Sequence, residues 1–228
     1  MTKRDPRSDK SDRDVLDHLG ELISGQIKKG MSKLDGSNGS GGKGRFMGYV
    51  KVFMDDRAVA AVTPSSKYLV ERTIKAMALE DEGAKVIVEY GAAQGVMTRR
   101  ILEKMRPDAK LIAIEFNERL FKDFTAHIKD PRVIPVRGDV REINRILAEH
   151  GLSKADRIVS GVPFAFFSSR GRHELLTKTS DLLNPGGRFV AYQVTTHLIP
   201  LLKDYFSDVD IQFEVRNIPP HFVFTALK

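Results

Sequence analysis

The stretch KVIVEYGAAQGVMTRRILEKM, residues 85–105, decides the fold of this 228-residue chain. Its first six residues form an apolar run rich in β-branched side chains, which predicts a buried strand. The apolar residues of GVMTRRILEKM recur at helical spacing, and Gly91 and Gly95 predict a tight turn between the strand and this helix. A buried strand that runs through a glycine turn into a helix is typical of a parallel α/β sheet.

The same alternation of strand and helix continues along the chain. Four further strands, each followed by a helical segment, are predicted over 110–115, 132–137, 156–160 and 187–194. The last two strands, VDIQFEVRN and HFVFTAL, are joined without a helix and therefore predict an antiparallel pair. We predict an α/β fold with a Rossmann-like, seven-stranded mixed sheet. It is mostly parallel, has an antiparallel pair at its C-terminal end and carries helices on both faces.

The N-terminal part of the chain has a different composition. Residues 1–44 predict an extension that contains an amphipathic helix and ends in the Gly/Ser-rich linker DGSNGSGGKG. Residues 45–80 predict capping helices, the second of which begins near Ser65 and Ser66. We therefore divide the chain into this extension and one domain over 45–228.

Composition excludes several classes of protein. The absence of cysteine excludes disulfide scaffolds, thiolate zinc sites, iron–sulfur clusters and cysteine nucleophiles. The six histidines have no metal-ligand spacing, so no metal site is expected. No apolar run is long enough to span a membrane, and the charged N-terminus is unlike a secretory signal. These features predict a cytoplasmic protein.

The net charge of +7 raises the question of a nucleic-acid partner. The excess is spread along the chain, with a net charge of +2 over 1–44, +2 over 45–80 and +3 over 81–228. Because no segment forms a basic arm, nucleic acid is disfavoured as a partner, and the charge fits weak attraction to an anionic bilayer better.

Acidic residues follow three consecutive predicted strands, at the edge where open α/β sheets bind ligands. Glu89 precedes Gly91 and Gly95 at the end of the first strand, and its charge suits an ammonium group rather than a phosphate. Glu115 ends the second strand, where it can accept hydrogen bonds from two ribose hydroxyls. Asp139 follows the third strand and can accept from an adenine amine, although each acid alone is also a common helix cap.

The segments EYGAAQG, IAIEF, RGDV and SGVPF resemble the ordered motifs of class I S-adenosylmethionine-dependent methyltransferases over roughly residues 60–228. The resemblance implies S-adenosylmethionine as the cofactor. By this resemblance the methionine part of the cofactor lies at Glu89, Gly91, Ala93 and Gly95, the ribose at Glu115, and the adenine at Asp139 and Val140. Phe116 and Ser160 are further cofactor-binding candidates. Ala92 and Ala93 depart from the Pro-Gly that is usual in this family.

Four segments, AVTPSSKYL, SGVPF, LNPGGRFVAYQ and NIPPHFVF, resemble bacterial phospholipid N-methyltransferases. Gly161 stands where methyltransferases of nucleic-acid adenine carry asparagine, which weighs against adenine as the substrate. This second resemblance implies N-methylation of an aminophospholipid or aminolipid, by a protein that is peripheral on the inner face of the membrane.

Methyl transfer needs alignment more than a catalytic side chain, so no obligatory catalytic residue is expected. The substrate-side candidates are Tyr49, Ser160, Pro163, Phe164 and His197, with His221 as a further residue that can face the site. Arg170, Arg172 and Arg216 are candidates for a lipid phosphate, although each is also a common type of solvated residue.

Three alternatives remain open from the sequence. The enzyme can methylate RNA, in the manner of an adenine dimethylase, or it can methylate a soluble small-molecule amine or natural product. The third alternative is a protein that is not an enzyme. Because Ala92 and Ala93 alter the glycine loop, the chain can be a cofactor-binding protein without catalytic activity.

Overall fold

A computed structural model describes residues 65–217 and 220–228. The predicted extension over 1–44, most of the predicted capping segment and the substrate-side candidate Tyr49 lie outside the described residues.

Six helices and seven strands occur over the described residues and alternate as far as β6, with short 3-10 turns at Val140–Glu142 and Phe164–Phe166. The strands are β1 (Val86–Tyr90), β2 (Lys110–Glu115), β3 (Val133–Arg137), β4 (Ala155–Ser160), β5 (Leu183–Gln193), β6 (Asp208–Glu214) and β7 (His221–Leu227). The helices are α1 (Lys67–Met77), α2 (Val96–Lys104), α3 (Glu118–His127), α4 (Ile143–Glu149), α5 (Ser169–Leu182) and α6 (Leu198–Tyr205).

The strands form one seven-stranded sheet in the order β3-β2-β1-β4-β5-β7-β6. The first five strands run parallel, whereas β7 pairs antiparallel with both β5 and β6. The predicted mixed sheet with an antiparallel C-terminal pair is confirmed. Because β1 lies between β2 and β4, the chain order reverses at β1, and a ligand crevice is expected at the carboxyl end of this strand.

Strand β5 begins four residues earlier than the pattern predicts. Leu183 already pairs with Ala155, and the register then shifts before Arg188 pairs with Arg157. Gly186, with a φ of 74°, lies within the shift, so the Asn-Pro-Gly-Gly segment forms a bulge inside the strand rather than a loop before it.

Apolar side chains cover both faces of the sheet, as the near-continuous apolar strands predict. One buried cluster joins the sheet to α4, α5 and α6, and includes Phe189, Phe222 and Phe224. The other joins it to α1 and α2, and includes Leu69 and Val159. No helix among the described residues is long and apolar enough to cross a membrane.

Candidate active site

The turn after β1 lies against the end of β2. The backbone N–H groups of Gly91 and Ala92 both donate to the carbonyl oxygen of Ile114, at 2.9 and 3.0 Å. Gly91 has a φ of 81°, and a Cβ atom at this position would lie 3.2 Å from the Val162 side chain. A glycine is required here because the turn is left-handed and touches the loop that follows β4.

Ala93 also adopts a left-handed conformation, with a φ of 46°. This conformation costs a non-glycine residue on the order of 1 kcal/mol. The Ala93 N–H donates to Oε2 of Glu115 at 2.8 Å, which holds the loop in place. The departure from the usual glycine is therefore accommodated without loss of the turn.

Glu115 is fixed at the end of β2, where it is 5% exposed. Besides Ala93, the backbone N–H of Asn117 donates to its carboxylate, at 2.8 Å. Burial raises the pKa of Glu115, while hydrogen bonds from these two backbone groups and from Phe116 lower it. Phe116 beside it is one of three large apolar side chains that are exposed among the described residues.

Glu89 is a buried carboxyl group at the centre of the sheet edge, 2% exposed. Thr98 Oγ1 donates to its Oε2 at 2.6 Å, and no cationic side chain among the described residues bonds to it. Burial raises the pKa of Glu89 to about 7, the Thr98 hydrogen bond opposes the rise, and the charge of Glu115 adds to it. A buried acid without a cation suits the ammonium group of a ligand.

Asp139 has the capping role that the sequence left open. Its carboxylate accepts from the Arg141 backbone N–H at 2.9 Å and also binds the Arg141 guanidinium. Val140, 7% exposed, begins the 3-10 turn that this acid caps. The pair follows the end of β3, as predicted, two strands away from β1 in the sheet.

The loop after β4 is held by a side chain of the neighbouring strand. Gln193 accepts from the Phe164 N–H at 3.0 Å and donates to the Val162 carbonyl at 2.9 Å. Ser160 is fully buried, and its Oγ accepts from the Val162 N–H at 3.3 Å. Phe164 is 1% exposed and packs in the core, whereas Pro163 is only partly buried.

Tyr192 fills the space above Gly161. A Cβ atom at Gly161 would lie 2.2 Å from the Tyr192 Oη and 2.8 Å from its Cζ. Burial, and next the charge of Glu89, raise the pKa of Tyr192, so this phenol stays protonated. Its ring centroid is 6.4 Å from that of His221. A phenol therefore lies where adenine methyltransferases carry an asparagine side chain.

Sequence reasoning missed Tyr192, Gln193 and Thr98 as site residues. Tyr192 and Gln193 end the quoted segment LNPGGRFVAYQ, and they are the last two residues of β5. Their place at the carboxyl end of a strand beside β4 was the available signal. Which of the two faces Gly161 depends on the register of the β4–β5 pair, which the pattern alone leaves open.

The two histidine candidates differ in their surroundings. His197 is exposed at the start of α6, and His221 is 8% exposed. The Asn217 side-chain Nδ2 donates to Nδ1 of His221 at 2.9 Å, and its side-chain Oδ1 accepts from the Ser66 N–H at 2.7 Å. His221 therefore belongs to a network that joins β7 to the start of α1.

Two of the three candidate arginines are engaged in ion pairs. Arg170 is exposed and bonds to Glu174, while Arg216 bonds to Glu214. Arg172 differs, because its Nε is buried and has no hydrogen-bond partner among the described residues. No group of three or more metal-ligating side chains occurs in the described part of the chain.

Comparison with known proteins identifies the family. The chain is 33% identical over 178 residues to the ornithine lipid N-methyltransferase of Singulisphaera acidiphila, a match that covers 75% of this chain and 88% of the relative. The chain belongs to this family of class I S-adenosylmethionine-dependent methyltransferases. The protein is therefore a methyltransferase, as its motifs predict. No family model matches the chain.

Solved methyltransferase structures share the fold. The 1,6-didemethyltoxoflavin-N1-methyltransferase of Burkholderia thailandensis, solved with S-adenosylhomocysteine, superposes with a TM-score of 0.61 at 20% identity, over 85% of this chain and 92% of that one. Human methyltransferase-like protein 13, solved in complex with SAH, gives 0.58 at 16% identity, over 72% and 83%. Both likenesses support the Rossmann-like methyltransferase architecture described above.

Proposed function

We propose that this methyltransferase transfers the methyl group of S-adenosylmethionine to the amine of a membrane aminolipid or aminophospholipid. The observation that carries the proposal is the match to the ornithine lipid enzyme, which spans 88% of the length of that enzyme. The substrate side of the crevice supports the proposal. Gly161 and the Tyr192 hydroxyl suit an amine as the methyl acceptor better than an adenine ring.

The residues around β1 and β2 fit the cofactor. The Glu89 carboxyl is buried without a cation among the described residues, so it would hold the ammonium group of the methionine part. Glu115 keeps acceptor capacity for ribose hydroxyls, and Asp139 with Val140 would border the adenine. When bound, S-adenosylmethionine supplies an electrophilic methyl group.

The chain's own contribution to methyl transfer is alignment of the amine. Gly161 leaves room above the β4 loop, and the Tyr192 hydroxyl lies in that room. This hydroxyl and the backbone carbonyls of the loop would accept hydrogen bonds from the amine and direct its lone pair. Gln193 fixes the loop from which those carbonyls project. The proton of the amine would pass to water, because the raised pKa of Tyr192 keeps the phenol protonated, and a neutral phenol does not take up that proton.

The proposal is tested by presenting three classes of acceptor to the purified full chain with labelled S-adenosylmethionine. The acceptors are liposomes that contain ornithine lipid or phosphatidylethanolamine, a transcript of RNA, and soluble amines. We expect label in the aminolipid fraction. Label in RNA or in the soluble amines, with none in lipid, would overturn the proposal.

Tyr192→Phe and Tyr205→Phe form a matched pair for the same assay. Tyr205 bonds to His173 through its hydroxyl and lies on α6, away from the β4 loop. We expect Tyr192→Phe to lower kcat by about tenfold, because a hydrogen bond to the reacting amine is lost. Tyr205→Phe is expected to leave kcat unchanged.

A further inference from the structure

Helix α5 begins with an unusual concentration of basic residues. Arg170, Arg172 and His173 all lie within its first five residues, and its first turn contains no acidic residue. The N-terminus of a helix carries a partial positive charge, so cations are unfavourable there. A helix of this kind needs either internal partners for its cations or an external anion.

Two of these three basic side chains have partners within the protein. Arg170 Nε bonds to Glu174 at 2.7 Å, and His173 Nδ1 bonds to the Tyr205 hydroxyl at 2.7 Å. Arg172 has no hydrogen bond or ion pair from its side chain among the described residues, and its Nε is shielded from solvent. A buried guanidinium N–H without an acceptor is costly, which makes Arg172 the exception that needs an explanation.

Arg172 is partly buried and lies on the face of α5 that packs against the sheet. It precedes Leu175, Leu176 and Thr179, all buried, by three, four and seven residues, which places these side chains on one face of α5. The helix starts shortly after the carboxyl end of β4, beyond the loop that carries Gly161. Arg172 therefore lies at the N-terminal end of the buried helix face, the end that follows the β4 loop along the chain.

We propose that Arg172 binds the anionic group of the lipid substrate, a phosphodiester or a carboxylate, and thereby presents the amine of the same molecule to Gly161 and Tyr192. This inference rests on the proposed function. Aminolipids that contain a phosphodiester and aminolipids that contain a carboxylate both carry this acidic group a few bonds from the amine. The planar guanidinium matches the two oxygens of such a group, and an anion offsets both the unpaired N–H and the positive helix end.

The test compares Arg172→Gln with the unsubstituted protein on two short-chain substrates kept below their micelle concentrations. One is a dihexanoyl phosphatidylethanolamine, and the other is a dihexyl ether amine that lacks the phosphate. We expect the substitution to raise KM for the phosphate substrate by about tenfold to a hundredfold, since a charge-assisted hydrogen bond is lost. The kcat/KM for the ether amine is expected to stay unchanged.

Two further variants control for charge and geometry. Arg170→Gln removes a cation from the same turn, but Arg170 is exposed and already paired, so KM for both substrates is expected to stay the same. Arg172→Lys keeps the charge without the planar fork. Its KM for the phosphate substrate is therefore expected to lie between that of the unsubstituted protein and that of Arg172→Gln. If Arg172→Gln fails to fold, the lysine variant gives the comparison.

The chemistry of the anion is resolved by a second pair of substrates. An acylated ornithine amphiphile with a free carboxylate is compared with its methyl ester. A penalty of Arg172→Gln on the acid alone identifies the carboxylate as a ligand of this subsite. If the penalty on every anionic substrate appears only when vesicles are present, Arg172 contacts the bilayer and not the substrate, and the proposal is wrong.

Thermal unfolding separates ligand binding from a structural role. Because Arg172→Gln removes a positive charge from the positive end of a helix, Tm without ligand is expected to stay the same or to rise. A marked fall in Tm together with equal losses on both substrates would assign Arg172 a structural role instead.

If the unsubstituted protein methylates no amine at all, the proposed function fails. If it methylates both amines and Arg172→Gln affects them equally, only the subsite fails.

Discussion

At the scale of the residue, the sequence predicts where Glu89 and Ala93 lie along the chain, but not the contacts that they make. The position of Glu89 before Gly91 predicts an acid at the carboxyl end of β1, and the structure has Glu89 in this part of the strand. Its role toward the cofactor stays a prediction. Its burial and its bond to Thr98 depend on how α2 packs on β1. The left-handed conformation of Ala93 is supported by Glu115, a residue of the neighbouring strand, so the local sequence alone suggested a defect in the glycine turn.

Glu89→Gln is expected to stabilise the protein at high pH. The pKa of Glu89 is raised to about 7 from 4.5, so the folded state keeps its proton where the unfolded state loses it. The cost to the folded state grows above pH 4.5 and is complete above about pH 7, at most on the order of 3 kcal/mol. Urea unfolding should show that Glu89→Gln is more stable than the unsubstituted protein at pH 8. This gain in the free energy of unfolding should shrink as the pH falls from about 7 toward 4.5.

The same variant is expected to bind S-adenosylhomocysteine more weakly at pH 8, because the ammonium group loses its anionic partner. The affinity of the unsubstituted protein should fall as pH drops below about 7, where Glu89 becomes protonated, while that of Glu89→Gln should change little. Calorimetry measures both affinities, and Glu103→Gln, an exposed change on α2, serves as the control. A flat affinity profile in the unsubstituted protein would contradict the role given to Glu89.

At the scale of the element, polar contacts fasten α1 to the antiparallel end of the sheet. Glu214 of β6 bonds to Arg72 of α1 at 3.0 Å and to Arg216 at 2.7 Å. The Arg216 guanidinium also lies 4.0 Å from the ring centroid of Tyr68 on α1. The pattern predicts each of these elements, but not their contact. Arg216, a candidate for lipid phosphate from sequence, is engaged in this junction.

Glu214→Gln is expected to lower the free energy of unfolding at neutral pH by about 1–2 kcal/mol, a modest loss because Arg216 is half exposed. The Arg216 hydrogen bond, opposed by burial, lowers the pKa of Glu214 to about 2. Stability from this carboxylate is therefore present above pH 4.5, its unperturbed value, and is lost as pH falls toward 2.

Urea unfolding at pH 7 and at pH 3 measures this dependence, with Glu149→Gln as the control because Glu149 forms only an exposed pair with Arg145. A loss for Glu214→Gln that is equal at the two pH values would show that the carboxylate charge is not the cause.

At the scale of the whole molecule, two features are expected to promote binding to an anionic bilayer. They are the net charge of +7 and the predicted extension over 1–44. We expect the full chain to float with anionic vesicles at low salt and to be released at high salt, because surface attraction of this size is screened within a Debye length. Deletion of residues 1–44 is expected to weaken flotation while S-adenosylhomocysteine binding persists. Failure of the full chain to bind anionic vesicles would favour a soluble amine as the substrate.

Local patterns in the sequence determined the seven strands, their alternation with helices, and the acids that end β1 and β2. These features follow from period and propensity within short windows, or from motifs of a few residues. Only the tertiary structure decided the strand order, the phenol of Tyr192 above Gly161, the Gln193 clamp and the buried Nε of Arg172, which has no hydrogen-bond partner among the described residues. Each of these depends on strand register or helix packing between distant segments, where a shift of one residue turns a side chain to the opposite face.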